Sequence, residues 1–211
     1  IHGLSVAELN AAYSSQEVVA VDEDGNLFVL FKDGDWESSL LLKDTGRLRD
    51  TVIVDFDGTH PGLEALVVGT SGKVIQVYVE NGNWKTKIIN ESSEALGRVT
   101  AGEILVNIPG PEVVIVGDEG GTYLLKQEEG VWSSEEIFRD NDGLRGVAVD
   151  NIQPNLPGNE VVIFGYSKNV IMISLKNGKW VAKTLWTDSD RAHSLSCGNI
   201  SPSTSWKECV V

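Results

Sequence analysis

A tryptophan recurs every 48 residues, and this spacing constrains the fold more than any other feature of the sequence. The four positions are Trp36, Trp84, Trp132 and Trp180, each with a glycine two residues before it. A Gly-x-Glu triplet keeps the same step at Glu64, Glu112 and Glu160, and Glu17 and Glu208 extend the series of glutamates. Because three series share one period, the 211 residues are about four and a half copies of one unit.

Each unit is built from short runs that are typical of β-strands. The most apolar runs have a glycine at both ends, which indicates strands buried on both faces. These runs are residues 62–69, 110–117 and 158–165. An alternating run such as 74–79 follows after a turn, and the pairs Asn81-Gly82, Asp33-Gly34 and Asn177-Gly178 predict tight hairpins. The strand that carries the Trp and a short strand before the triplet complete the unit, which leaves no room for a helix.

Four-stranded antiparallel units of this length are the blades of a β-propeller, an all-β fold. Blades are predicted to start near residues 2, 49, 97, 145 and 193, and the fifth blade holds only its inner strand and part of its second strand. The expected organisation is a single β-propeller domain over residues 1–211, or a fragment of a longer propeller. A chain end inside a buried strand would leave an unpaired sheet edge, and this favours the interpretation as a fragment. The further blades would then come from the same chain or from another chain.

Charge and composition exclude several classes of protein. A net charge of −14 argues against a nucleic-acid partner, and no apolar run reaches the ~18 residues that a membrane-spanning helix needs. Cys197 and Cys209 have neither zinc-binding nor redox spacing; they could face each other across a hairpin, but we expect buried thiols. Asn90 and Asn199 each begin a glycosylation sequon, which favours an extracellular or secreted location without establishing it.

Residues 54–69 resemble one repeat of the FG-GAP/VCBS type, which is found in integrin-alpha-type propellers. Such a repeat has an Asp-x-Asp-Gly loop, then an acidic residue and an apolar strand that ends in Gly. Residues 149–165 and 193–199 are similar, so the resemblance covers essentially the whole chain. It implies the propeller fold and little about function, because such propellers occur in integrin heads, fungal lectins, polysaccharide-active enzymes and assembly scaffolds.

The resemblance also implies a calcium site. In the resembled family the Asp-x-Asp-Gly loop often holds Ca²⁺, which prefers several closely spaced oxygen ligands. Only Asp55 and Asp57 approach that pattern here, and they form the predicted Ca²⁺ site. The alternative is that both residues only close a turn through their own backbone.

Arginine and histidine recur at the start of the predicted inner strands, which line the central channel of a propeller. The residues at this predicted channel mouth are His2, Arg49, Arg98, Arg145 and His193. A positive group of this kind in an acidic chain suits an anionic ligand, because a guanidinium offers a fork of donors.

A metal is the second interpretation of the channel mouth, and pairing without any ligand is the third. His2 and His193 would hold a transition metal if they come close, and fungal sugar dehydratases with FG-GAP-like propellers use His in this way. Arg49 and Arg145 depart from that pattern. In the third interpretation, the side chains pair with acidic neighbours such as Asp50 or Asp190.

The two repeated series have structural explanations. A catalytic residue would occur once, so the repeated Glu is expected to accept backbone N–H bonds from a turn. The repeated Trp is expected to pack at the outer strands rather than stack on sugars.

The pattern as a whole favours a non-catalytic propeller that recognises a protein or a glycan through its loop faces, with a basic partner. Nucleophile, HExxH and phosphate-loop motifs are absent, which argues against an enzyme. Two alternatives stay open: a sugar lyase or dehydratase with a metal or anion at the channel mouth, and a lectin with one sugar per blade or inter-blade groove.

Overall fold

The computed structural model describes residues 1–13, 15–56, 58, 60, 62–191, 193–201 and 207–211. These residues form β-strands joined by turns and bends, with no helix among them. The chain divides into two compact units that we describe separately. The first unit is Ile1–Val99 with Gln127–Trp132, and the second is Thr100–Lys126 with Ser133–Val211.

Strands that follow one another in the chain are also neighbours in each sheet, so every repeat forms its own sheet. The first sheet contains β1 (Gly3–Ala7), β2 (Glu17–Val21), β3 (Asn26–Asp33) and β4 (Asp35–Lys43). The second contains β5 (Leu48–Val54), β6 (Glu64–Gly69), β7 (Lys73–Glu80) and β8 (Asn83–Glu91). The third contains β9 (Leu96–Gly102), β10 (Glu112–Gly117), β11 (Gly121–Glu128) and β12 (Val131–Arg139). The fourth contains β13 (Leu144–Asp150), β14 (Glu160–Gly165), β15 (Asn169–Lys176) and β16 (Lys179–Thr187), and the fifth contains β17 (Ser196–Gly198) and β18 (Glu208–Val210).

These sheets confirm the predicted four-stranded antiparallel blades. The second strand of a blade is its most buried element, and every residue of β6, β10 and β14 is buried. Within each unit, adjacent blades bury these strands against each other. In the first unit, Val19 and Val29 of the first blade share a core with Val67 and Val77 of the second. Burial of each such side chain stabilises the fold by about 1.5–3 kcal/mol, which is why runs of β-branched residues form these strands.

The tight hairpins between the third and fourth strands follow the turn chemistry of the sequence. Asn81 and Gly82 both have positive φ, at 53° and 75°, and Asn177-Gly178 repeats this geometry. Both residues of a type I′ turn need such angles, so these two predictions are confirmed. The first blade differs. Asp33 belongs to β3 and only Gly34 has a positive φ, of 82°, because the turn there is one residue shorter.

A carboxylate that follows the outer strand of one blade forms hydrogen bonds with the next blade. Asp44 accepts hydrogen bonds from the Ser71 hydroxyl and from Lys73 Nζ at 2.8 Å. Burial alone would raise the pKa of Asp44, but the bonds from Lys73 and Ser71 outweigh it and lower that pKa. In the second unit, Asp140 accepts a bond of 2.5 Å from the Ser167 hydroxyl in the same way.

The two cysteines form a disulfide, so the expectation of buried thiols was wrong. Cys197 on β17 and Cys209 on β18 are direct partners in the strand register, and their Cα atoms are 4.0 Å apart. Cross-strand partners point to the same side of a sheet, which brings the two sulfur atoms together. The bond links the two described strands of the fifth blade.

Reduction of the Cys197–Cys209 disulfide is expected to lower the free energy of unfolding by up to about 3 kcal/mol, because the bond closes a short loop in the unfolded chain. Urea titration with and without a reductant measures the change. The Cys197→Ser/Cys209→Ser variant is the control, since the chain has no other cysteine. The variant should match the reduced wild type and should not respond to the reductant. Identical midpoints for oxidised and reduced wild type would contradict the expectation.

Candidate functional site

The repeated glutamate holds a loop in each repeat of the fold. One oxygen of Glu17 accepts hydrogen bonds from the backbone N–H groups of Leu9 at 2.7 Å and Asn10 at 3.0 Å. The corresponding pairs are Ile104 and Leu105 for Glu112, Ile152 and Gln153 for Glu160, and Ile200 and Ser201 for Glu208. Glu64 accepts a bond from the Phe56 N–H at 3.3 Å. The predicted structural role of the series is thereby confirmed.

Two of these carboxyl groups have shifted ionisation. Burial raises the pKa of Glu112 and of Glu160, and the backbone N–H donors of the loops oppose that rise only in part. Both groups are almost completely buried. Because the same arrangement recurs at every repeat, these shifts reflect a construction element of the fold rather than a single reactive centre.

Two of the held loops each form one wall of a groove between adjacent blades. The first loop groove, in the first unit, has a volume of about 740 Å³ and is lined by residues 8–12, Leu63 and the hairpin at Asn81-Gly82. Asn10 braces it, because its side chain accepts a bond from the Ala12 N–H at 3.1 Å and donates one of 3.4 Å to the Gly82 carbonyl. The groove thus joins a loop of the first blade to a hairpin of the second.

The second loop groove lies at the equivalent place in the second unit. It has a volume of about 340 Å³ and is lined by residues 104–108, Pro157 and the hairpin at Asn177-Gly178. Its hairpin is 96 residues from that of the first groove, which is two repeats. In the repeat between them, the rings of Phe56 and Trp132 are in edge-on contact, with centroids 5.4 Å apart. No motif in the sequence indicates these grooves directly, although their walls follow the 48-residue period.

The predicted channel-mouth residues of the first unit have partners within that unit. His2 Nε2 lies 2.7 Å from Glu23 Oε1. Arg49 and Arg98 donate to the backbone carbonyls of Leu96 and Gly97, at 3.5 and 2.9 Å. The sequence expectation of an acidic neighbour therefore holds for His2, although the acid is Glu23 and not one of the two that we expected.

Asp50 lies next to these residues in the first unit. Burial raises the pKa of Asp50, while the Val99 N–H, at 3.0 Å from its carboxylate, and the charge of Arg98 oppose that rise. Arg98 is therefore within electrostatic reach of Asp50, as the interpretation without a ligand expects.

In the second unit, Arg145 and His193 both lie beside Tyr166. The Arg145 guanidinium forms an ion pair with Asp118, donates to the Tyr166 hydroxyl at 2.9 Å and lies 4.5 Å from the ring centroid. Arg191 lies 5.2 Å from the same centroid, and the His193 ring approaches the Tyr166 ring edge-on at 6.3 Å. Burial opposes the charge of Arg145, but its bonds to Tyr166 and Asp118 raise its pKa.

Sequence reasoning missed the partners Asp118 and Tyr166. They occupy equivalent positions of neighbouring repeats, 48 residues apart and directly after the glycine that ends the second strand. A search for charged or aromatic residues at that position would have found both. The acid expected beside this group, Asp190, accepts a bond from the Arg191 N–H at 2.8 Å.

The predicted calcium site is only partly described. Asp55 is exposed and Asp57 lies outside the described residues. Among the residues that the structure describes, no group of three or more His, Cys, Asp and Glu side chains is placed to hold a metal ion. The Ca²⁺ site at Asp55 and Asp57 therefore stays a prediction.

The tryptophan series packs as predicted except at its first member. Trp84 and Trp180 are half-buried against the cores of the first and second units, and Trp180 Nε1 donates to Glu135 at 3.1 Å. Trp36 is largely exposed, so the packing prediction was wrong for this residue. Trp84 and Trp180 each pack in a cluster with a loop residue of the preceding blade. Trp36 lies in the first blade, and the described part of the chain contains no blade before it.

Comparison with known proteins identifies the fold. No protein-family model and no curated protein sequence matches the chain. The WD40 β-propeller domain of Doa1 matches with a TM-score of 0.61 and 15% identity, over 92% of this chain and 57% of that one. The WD40 domain of SCAP from fission yeast matches with a TM-score of 0.53 and 17% identity, over 92% of this chain and 44% of that one. The chain thus spans about half the length of the structures that it matches.

These similarities show the fold alone. The chain is an all-β repeat protein of the β-propeller class with about four and a half blades in its 211 residues. They do not point to FG-GAP/VCBS repeats in particular. Within the described ranges, no helix has the length and apolar character to cross a membrane.

Proposed function

We propose that this chain is a non-catalytic binding propeller that recognises a basic protein through its loop face, at the first loop groove. The observation that carries the proposal is that the backbone N–H groups of Leu9 and Asn10 both donate hydrogen bonds to the buried carboxylate of Glu17. A loop whose backbone is already fixed loses little entropy on binding, which favours recognition. The likeness to WD40 propellers supports a protein-binding scaffold in general terms.

Charge supports a basic partner. The chain carries a net charge of −14, and Glu8 is exposed on the wall of the first loop groove. Complementary charge raises the rate of association and selects partners, whereas like charges repel. The Cys197–Cys209 disulfide supports an oxidising, extracellular or secreted location for the interaction.

Peptide selection tests the proposal directly. A random peptide library displayed on phage is selected against the immobilised chain, and the affinities of the recovered peptides are measured by titration. We expect peptides rich in Lys and Arg, whose binding weakens as salt is added because charges on the surface are screened. The variant Glu8→Lys should weaken binding at least about tenfold, because it puts a like charge in the groove.

Glu37→Lys is the matched control, since Glu37 is also an exposed glutamate, on β4, and the change in net charge is the same. It should leave the affinity within about twofold. If no basic peptide is enriched, or if the two variants weaken binding equally, the proposed surface is wrong.

A multivalent lectin is the second candidate, because two loop grooves occur at equivalent places of the repeat. It predicts binding to a glycan array with two equivalent sites per chain by calorimetry. Within either proposal, we also propose that the blades form a single propeller domain of the FG-GAP/VCBS type. The channel-mouth residues His2, Arg49, Arg98, Arg145 and His193 remain the candidate site of an anionic group of the ligand.

A further inference from the structure

Three basic side chains of the second unit meet around one aromatic ring. Arg145 lies on β13, Arg191 and His193 lie between β16 and β17, and the ring is that of Tyr166, directly after β14. The Arg145 and Arg191 guanidinium groups lie 4.5 and 5.2 Å from the centroid of this ring. The His193 ring meets it edge-on, with the two centroids 6.3 Å apart. The turn after β14 thus gathers basic groups from two other parts of the chain.

Arg145 is the fixed member of this group, because its charge is already paired. Its guanidinium forms an ion pair with Asp118, and Nη1 also donates to the Leu144 carbonyl at 2.9 Å. Its Nε donates to the Tyr166 hydroxyl at 2.9 Å. Both side chains of the ion pair are largely buried. Arg145 therefore positions the Tyr166 hydroxyl and leaves little charge of its own for a ligand.

Three other donors converge beside it. The Tyr166 hydroxyl accepts the bond from Arg145, so its own hydrogen is left to be donated. Within the described ranges, the side chains of Arg191 and His193 contact this ring and pair with no carboxylate. The adjacent carboxylate of Asp190 bonds to the backbone N–H of Arg191, at 2.8 Å, rather than to its side chain. A hydroxyl, a guanidinium and an imidazole therefore lie together with no acid bound to them.

The combination occurs once in the chain, unlike the repeated glutamate. The earlier repeats have Asp22, Thr70 and Asp118 at the position of Tyr166, and Arg47, Ala95 and Gly143 at the position of Arg191. None of these repeats pairs an aromatic ring with an arginine. A residue that serves only the fold recurs with the period, so a combination found in one repeat indicates a site added to the fold.

We propose that Tyr166, Arg191 and His193 bind the sulfate or phosphate ester group of a ligand. Such a group presents three terminal oxygens, and each of the three side chains supplies a donor for one of them. A carboxylate has only two oxygens and would leave one side chain without an acceptor. A guanidinium that lies against an aromatic ring is held in orientation, so it loses little freedom on binding.

This inference rests on the anionic group that the proposed function assigns to the channel-mouth residues, and it narrows that assignment. Of those residues it keeps His193 as a ligand donor and Arg145 as a positioning residue. It adds Arg191 and Tyr166, and it names the chemical class of the anion. The proposed recognition of a basic protein concerns residues of the first unit and is tested with other probes and other variants.

Titration with small anions tests the inference. Methyl sulfate, methyl phosphate and acetate are added separately to the full chain at constant ionic strength, and the backbone amide signals of Arg191 and His193 are followed by NMR. We expect saturable shifts with both esters, with dissociation constants in about the millimolar range, and at least about fivefold weaker binding of acetate. Binding of either ester supports the site, and the tighter of the two identifies the group as a sulfate or a phosphate.

Two variants test which residues form the site. Arg191→Gln should raise the dissociation constant of the tighter ester at least about fivefold, because it removes a charged donor. Arg139→Gln is the matched control, since Arg139 also donates to a tyrosine hydroxyl, that of Tyr123 at 2.9 Å, and the change in net charge is the same. The control should change the constant less than about twofold. Tyr166→Phe removes one donor and should weaken binding at least about threefold.

Three outcomes would overturn the proposal. Shifts that do not saturate would mean general electrostatic attraction without a site. Equal affinity for acetate and for the esters would mean that the site does not read a third oxygen. Equal effects of Arg191→Gln and Arg139→Gln would mean that net charge governs binding. Failure of the basic-peptide selection would leave these titrations unchanged, so the two proposals fail independently.

Discussion

Replacing Glu160 by alanine is expected to lower the free energy of unfolding by about 2–5 kcal/mol, one of the two largest effects in the chain. One oxygen of this buried carboxyl accepts the N–H groups of Ile152 at 2.9 Å and Gln153 at 2.8 Å. The variant leaves both donors without their acceptor and opens a cavity beside the start of β14. Urea titration measures the loss. Glu37→Ala, on an exposed strand, is the control and should change the free energy by less than about 0.5 kcal/mol.

The isosteric variant Glu160→Gln separates the hydrogen bonds from the charge. Burial raises the pKa of Glu160 above its ordinary value, so folding disfavours the ionised form. The stability that this group contributes is therefore complete below its unfolded pKa and is lost as the pH rises through its folded pKa. The difference in unfolding free energy between wild type and Glu160→Gln should favour the wild type most near about pH 4 and decline towards about pH 8. A difference that grows with pH would show that the fold prefers the carboxylate.

Replacing Phe164 by alanine is expected to lower the free energy of unfolding by about 3–5 kcal/mol. Phe164 is the largest fully buried side chain among the described residues and lies on β14, where it packs with Val170, Met172 and Leu195. Its removal leaves a cavity between the fourth blade and the strand that covers it, and a close-packed interior relaxes only in part. Urea titration of the variant gives the loss.

Two further measurements test the cause of that loss. Trp186→Ala removes an aromatic ring of greater size that is exposed on β16, and it should cost less than about 0.5 kcal/mol. Phe164→Leu keeps most of the volume and should cost less than half as much as the alanine variant. If Trp186→Ala and Phe164→Ala cost the same, burial does not explain the effect.

The 48-residue period was sufficient to predict the strands and the role of the glutamates. Apolar runs with a glycine at both ends became fully buried second strands, because such runs have no polar face for solvent. The recurrence of a glutamate at five positions argued for a structural role, and the bonds at Glu17 and Glu160 are of that kind. Both predictions depend only on interactions between residues of the same repeat.

Features that depend on the neighbour of a repeat could not be predicted in this way. Trp36 has the same repeat position as Trp180 but is exposed, because the described chain has no blade to pack on it. The acids beside His2 and Arg145 lie in the turns after β2 and β10, and the period alone does not show that an inner strand meets such a turn. The cysteines had no periodic counterparts, and only the strand register brought them together as a disulfide.

The arrangement in which Glu17 and its equivalents bind main-chain atoms of the loops has a consequence for how such a protein can be altered. The loop at residues 8–12 is held through backbone N–H groups, which every residue except proline provides at the Leu9 and Asn10 positions. Its outward side chains can therefore be randomised without loss of the anchor. A diversified library built on this chain would vary recognition while the scaffold stays constant.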